Sequence, residues 1–144
     1  MTSYAQGEFV PKNPEKYSGK GRIKYRSSWE MTFMSFCDNH PGVVSWASES
    51  LQIPYFNPVT AKQTIYVPDF LVIYVDRNDN KHGEVIEIKP SKETMMENAK
   101  SQRDKLMVAI NMAKWRAASL WCKQQGLVFR ILTEHDLFVQ GKRR

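Results

Sequence analysis

The sequence predicts an α/β domain in which a mixed central β-sheet is flanked by helices. Three observations predict it. Phe70 to Val75 is apolar on both faces, as a strand buried inside a sheet must be. The elements run in the order helix, several strands, long helix, strand, with no internal repeat. The chain has 144 residues, of which 42% are hydrophobic and 25% charged, so it can bury one real core with little room for a second.

Residues 1–24 are polar, basic and turn-rich, with Pro11, Pro14, Gly19 and Gly21, and read as an extended basic arm without a core role. A single domain is then expected over 25–141, followed by a basic tail at 142–144. The first helix starts at Ser27 or Ser28. There Ser27-Ser28-Trp29-Glu30 fits a capping box, a serine capping the first turn and an acid three residues on. Trp29, Phe33 and Phe36 give this helix an apolar face, and Asn39-His40-Pro41-Gly42 ends it.

Val43 to Ala47 and Leu51 to Phe56 read as short strands split by polar Ser48-Glu49-Ser50, and Asn57-Pro58 opens a loop. Thr64 to Val67 leads through Pro68-Asp69 into the central strand, and Asp76 to Gly83 reads as a hairpin loop. In Glu84 to Lys89, Ile86 and Ile88 point to one face while Val85, Glu87 and Lys89 point to the other. Residues 93–125 read as helix, in one or two pieces. Its expected core stripe is Met95, Ala99, Leu106, Ile110, Ala113, Ala117, Leu120 and Trp121, with Gly126 as the stop. Leu127 to Leu132 is a strand, and Thr133 to Asp136 resembles another capped turn.

Several function classes lose their footing. The apolar run Phe70 to Val75 is far short of the roughly 20 residues of a membrane helix. The first eight residues lack a signal-peptide layout, so no secretion is expected. Cys37 and Cys122 stand far apart and read as core residues, and His40, His82 and His135 form no metal-binding pattern. There is no glycine-rich phosphate loop. Trp29, Trp46, Trp115 and Trp121 all fall in core patterns, which argues against base stacking.

The net charge of +6 is unevenly placed. Residues 1–26 carry +4, residues 27–91 carry −4, residues 92–130 carry +5 and the remainder +1. Basic flanks around an acidic middle suit either an ordinary solvated surface or a nucleic-acid binder with a metal site.

Within that acidic middle, Asp69 follows a proline at the start of the buried strand, and Glu87-Ile88-Lys89 closes the next. A short hairpin makes the two strands antiparallel neighbours, which brings Asp69 beside Glu87. Two carboxylates ~4 Å apart repel by about 1 kcal/mol in water and about 4 kcal/mol at an effective dielectric of 20. Lys89 offsets part of this repulsion, and a hard divalent cation with oxygen ligands, Mg²⁺ or Mn²⁺, would offset the rest. Taken singly, each element also has a plain structural reading: a strand-starting Pro-Asp, and an exposed same-face Glu87 and Lys89.

Pro68-Asp69 followed by Glu87-Ile88-Lys89 resembles the signature of the PD-(D/E)xK, or restriction-endonuclease-like, nuclease superfamily. Tyr25-Arg26-Ser27-Ser28-Trp29-Glu30, Trp46-Ala47-Ser48-Glu49 and Ile53-Pro54-Tyr55 narrow the likeness. They are similar to the endonuclease subunit of heteromeric bacterial transposases and, more closely, to the head-completion nucleases of tailed bacteriophages. The likeness covers about residues 7–135.

The resemblance implies a restriction-endonuclease-like fold and Mg²⁺-dependent hydrolysis of DNA phosphodiesters, with Mn²⁺ able to substitute. Glu30, Asp69, Glu87 and Lys89 would be catalytic. Asp69, Glu87, the Ile88 carbonyl and Glu30 would ligate metal, and Lys89 would orient or deprotonate the attacking water. Glu30 retains its capping role as an alternative or an addition. Arg26 is a candidate phosphate contact, or a locally paired arginine, and Lys92, Arg103 and Lys105 are candidate contacts to the DNA backbone. Glu49 reads as a hydrogen-bonded structural acid, or as an acid that approaches the site from the neighbouring strand.

The implied partners are double-stranded DNA, at ends or distorted structures, and phage portal or head-completion proteins, with no membrane. The implied location is the host cytoplasm during assembly, then the virion head. Two other readings stand beside this one. One is a non-catalytic virion protein that plugs the filled head. The other is a transposition or repair nuclease whose partner supplies specificity.

Overall fold

The computed structural model describes residues 6–94 and 100–139. Its centre is a four-stranded sheet in the order β3 (Val43–Ser48), β6 (Phe70–Val75), β7 (Lys81–Ile88), β8 (Val128–Leu132). The first two pairings are antiparallel and the last is parallel, so the sheet is mixed, as the sequence predicts. The long helix α2 (Gln102–Gln124) makes the crossover that a parallel pair needs. No described helix is long and apolar enough to cross a membrane.

Helix α1 (Ser28–Asn39) covers one face of the sheet. Phe33, Met34 and Cys37 pack there with Trp46, Phe70, Val72, Ile86 and Leu132. The buried side of α1 is therefore turned from the expected stripe, and Phe36 stays exposed. On the opposite face α2 meets a separate hairpin, β4 (Ile53–Asn57) with β5 (Lys62–Tyr66). Ile53, Tyr55, Tyr66, Trp115 and Ala118 form that second core. The alternation in β7 holds: Ile86 and Ile88 pack on the α1 side, and Glu87 meets Tyr66 of the second core.

Two expectations need correction. The first concerns the basic arm. β1 (Gly7–Phe9) pairs with β2 (Ile23–Tyr25), Ile23 is buried, and Phe9 and Tyr17 meet Trp46 edge-on at 5.9 and 4.7 Å. Asp38 of α1, itself buried, pins the segment by accepting from Lys12 N–H at 2.8 Å and Asn13 N–H at 2.9 Å. A few apolar side chains scattered among polar ones carry this docking, and composition cannot show it.

The second concerns α2. Ser91–Glu93 is a separate 3₁₀ turn, and α2 begins after Ser101, whose hydroxyl accepts from Asp104 N–H at 3.0 Å. Its buried stripe is Val108, Asn111, Trp115, Ala118 and Cys122, while Leu106 and Leu120 are exposed. Apolar residues lie nearly all round this helix, so periodicity alone does not single out the packed face. Met95, Ala99 and the tail at 142–144 lie outside the described residues.

Candidate active site

The register of β6 against β7 builds the site. Phe70 opposes Ile86, so the residue before β6 faces the end of β7. There Asp69 Oδ2 accepts the Ile88 N–H at 2.8 Å. Burial, then the charge of Glu87, pushes the Asp69 carboxyl up to about 8. Burial raises Glu87 as well, opposed by the Tyr66 hydroxyl and by the charges of Lys89 and Lys114. Tyr66 O–H donates to Glu87 Oε1 at 2.6 Å, and burial together with Glu87 pushes that phenol far above its ordinary value. Lys114 Nζ stands 5.6 Å from the centre of the Tyr66 ring. This is the pattern of like charges held close in a poorly solvated place, where one proton or one cation relieves both.

Beside this pair a capped helix brings in a third acid. Ser27 Oγ accepts the Glu30 N–H at 3.1 Å, the capping bond read from the sequence. Glu30 reaches back one residue further than a capping box requires, its Oε1 accepting Arg26 N–H at 2.9 Å. Arg26 then spans the acids. Its guanidinium pairs with Glu49 and stands 4.0 Å from both Glu30 and Asp69. Glu49 adopts a left-handed backbone with φ 50°, and its N–H donates to the Asp69 carbonyl at 2.9 Å. A non-glycine residue there is uncommon and strained.

Asp69, Glu87, Glu30 and Arg26 are thus brought together, as expected of the site, and Lys89 acts electrostatically on Glu87. Lys89 Nζ also lies 4.0 Å from Glu93, and Lys92 lines the same cavity as Lys89. Arg103 and Lys105 are exposed on the first turns of α2 and make no contact with the acids. Tyr66 and Lys114 also stand beside Glu87, with no signal in the sequence to mark them, and Glu49 approaches the site from β3, the alternative to its structural role. Tyr66 is four residues before Phe70, so its place beside Glu87 is set by how the hairpin folds over the sheet. Ser48 opposes Phe70, so the next residue outward, Glu49, meets Asp69.

Among the described residues, no group of three or more His, Cys, Asp or Glu forms a ready metal cage. The donor set nonetheless fits Mg²⁺. That ion prefers oxygen, is commonly held by one or two carboxylates, and completes its shell with water and phosphate. The raised Asp69 and Glu87 form such a pair, with the Arg26 guanidinium 4.0 Å from Asp69 as a countercharge.

A mixed sheet that carries Pro-Asp at the head of one strand and Glu-x-Lys at the end of its antiparallel neighbour defines the PD-(D/E)xK class of nuclease. Residues 40–134 match the family described as TnsA-like endonuclease N terminal, and the chain belongs to that family. It is also similar to the head completion nuclease of Enterobacteria phage T4, with 35% identity over 146 residues, covering 94% of this chain and 95% of that protein. The family match takes in Glu49, Asp69, Glu87 and Lys89, while Arg26 and Glu30 precede it.

Proposed function

We propose that this nuclease is a Mg²⁺-dependent deoxyribonuclease that processes the packaged DNA end during phage head completion, with Mn²⁺ able to replace Mg²⁺. The observation that carries the proposal is the pairing of Asp69 with Glu87 across the β6–β7 ladder, with Lys89 beside them. Similarity along nearly the whole T4 relative favours head completion over transposition, for which the family match spans two-thirds of the chain. Double-stranded DNA ends or distorted structures are the proposed substrate. Portal or other head-completion proteins are the proposed partners, in the host cytoplasm during assembly and then in the virion head.

Hydrolysis adds water across one P–O ester bond and leaves a phosphate monoester and a hydroxyl. Asp69, Glu87 and the Ile88 carbonyl would hold the metal, with Glu30 on its water shell. A bound Mg²⁺ supplies charge neutralisation at the phosphate and a more acidic water. Tyr66 fixes the Glu87 carboxylate and favours its charged form against the effect of burial. Lys89 orients the attacking water and meets charge building on the phosphate oxygens. Arg26 contacts the DNA backbone, and Lys92, Arg103 and Lys105 extend that contact away from the centre.

The test is plasmid nicking by the purified chain with Mg²⁺ or Mn²⁺, stopped by chelator. Asp69→Asn and Glu87→Gln should lose cutting by about a hundredfold or more while still binding DNA. If both cut like the parent, the metal-site reading is wrong. If they are inert yet still complete heads in a complementation assay, the plug reading replaces it.

A further inference from the structure

A cavity of about 390 Å³ opens beside Lys89, between the 3₁₀ turn after β7 and the first half of α2. Lys89 and Lys92 stand on one wall, and Met107, Val108 and Asn111 of α2 form the other. Asn111 is 6% exposed, and its side-chain amide, which makes no hydrogen bond to another described residue, is not sealed off but opens into the cavity it lines. It is the one polar residue on the buried stripe of α2, between Val108 and Trp115. An amide without a protein partner takes its hydrogen bonds from water or from a ligand. Here the amide lines the cavity that the catalytic Lys89 also lines.

The chemistry changes with depth. Glu93, Asp104 and Met107 are exposed at the rim, and Lys89 is partly exposed, whereas Val108 and Asn111 are buried. Ammonium groups near the mouth suit phosphate. An apolar wall beside an amide offering an adjacent donor and acceptor suits the edge of a nucleobase. The volume is within the usual range of small-molecule sites, about 300–1,000 Å³. Glu93 and Asp104 disfavour a pocket built for phosphate alone.

We infer that this cavity is a subsite for one nucleotide turned out of the DNA stack beside the scissile phosphate, its base edge read by Asn111 and its phosphate held by Lys92. The subsite rests on the nuclease reading above and deepens it. It gives a physical reason for acting at ends and distorted structures, where a nucleotide leaves the stack at least cost. Adenine is the favoured base, since its N6 and N7 complement an asparagine amide.

The test uses the full chain without divalent cation, titrated with dAMP and, separately, with 2-deoxyribose 5-phosphate while the Asn111 side-chain amide is followed by NMR. The parent should bind dAMP about tenfold more tightly than the sugar phosphate, and dAMP should shift the Asn111 resonances. Asn111→Leu, similar in volume, should bring the two affinities within about twofold. Lys92→Ala should weaken both ligands alike. Should Asn111→Leu fail to fold, Asn111→Asp keeps the shape, removes the amide donors and should also lose the preference. Equal binding of the two ligands by the parent overturns the subsite, as does a preference that survives both Asn111 variants. Binding is read without cleavage, so the two proposals fail separately. Protein that takes dAMP but cuts nothing overturns the nuclease reading, and protein that cuts without base preference overturns the subsite.

Discussion

The Tyr66 hydroxyl donates a 2.6 Å hydrogen bond to Glu87 Oε1 inside the second core, and this bond opposes the upward shift that burial imposes on that carboxyl. Hydrogen bonds to charged groups are worth about 1.5–3 kcal/mol, roughly tenfold or more in an equilibrium. Tyr66→Phe removes the donor and keeps the ring. Glu87 then titrates higher, because the charged form loses its stabiliser. The acid limb of the pH–rate profile for DNA cleavage should move to higher pH, with a loss of about tenfold near neutrality that narrows as pH rises. An unmoved limb would show that Tyr66 only packs.

Asp69 makes the stability of the metal-free protein depend on pH. Its carboxyl is raised in the fold from 3.8 to about 8. The folded state therefore binds a proton that the unfolded state releases, and the stabilisation is fully present below about pH 4. It is lost progressively as pH rises through the window up to about 8. Thermal melts in chelator should show Tm falling across that window from this group, and Asp69→Asn should flatten the trend. Mg²⁺ should raise Tm more at pH 8 than at pH 5, since a cation replaces the proton.

Arg26 neutralises the site when no metal is present. Its side chain is 61% exposed, so its ion pairs contribute about 1 kcal/mol or less to stability. Arg26→Gln should leave Tm nearly unchanged at high salt. It should tighten Mn²⁺ binding several-fold, because a competing cation beside Glu30, Glu49 and Asp69 is gone. Titration calorimetry reads the difference, and equal affinities would remove Arg26 from the electrostatics of the site.

Asp38 decides whether residues 7–25 stay docked. Asp38→Ala leaves the Lys12 and Asn13 amides without their acceptor at a partly buried position. The loss should reach about 2–4 kcal/mol, as two backbone donors go unsatisfied. Limited proteolysis should then cut within residues 10–22 while the sheet stays protected. Uniform protection would show that aromatic packing on Trp46 alone holds the segment.

DNA binding should weaken steeply with salt, since phosphate contacts release counterions. The log–log slope should fall by about one on Lys92→Ala. A flat salt response would take the basic flanks out of DNA binding.

The sequence by itself determined the local and near-neighbour relations. Ser27 caps α1, the hairpin pairs β6 with β7, and period-two geometry sends Glu87 away from Ile86 and Ile88. Asp69 met Glu87 because a short connection leaves two strands little choice of partner, and their register then fixes which residues face. The tertiary structure decided the relations that cross between elements. It set which side of α2 is buried, where Tyr66 and Lys114 meet Glu87, how Glu49 turns to Arg26, and that residues 7–25 dock on Asp38. Asn111 shows why. Nothing in Ile110-Asn111-Met112 marks a buried amide, because its burial follows from the helix rotation that best packs Trp115 and Ala118 against the hairpin. Backbone periodicity is written locally, but the orientation of one layer on another comes from the summed packing of many side chains, and no short stretch of sequence contains that sum.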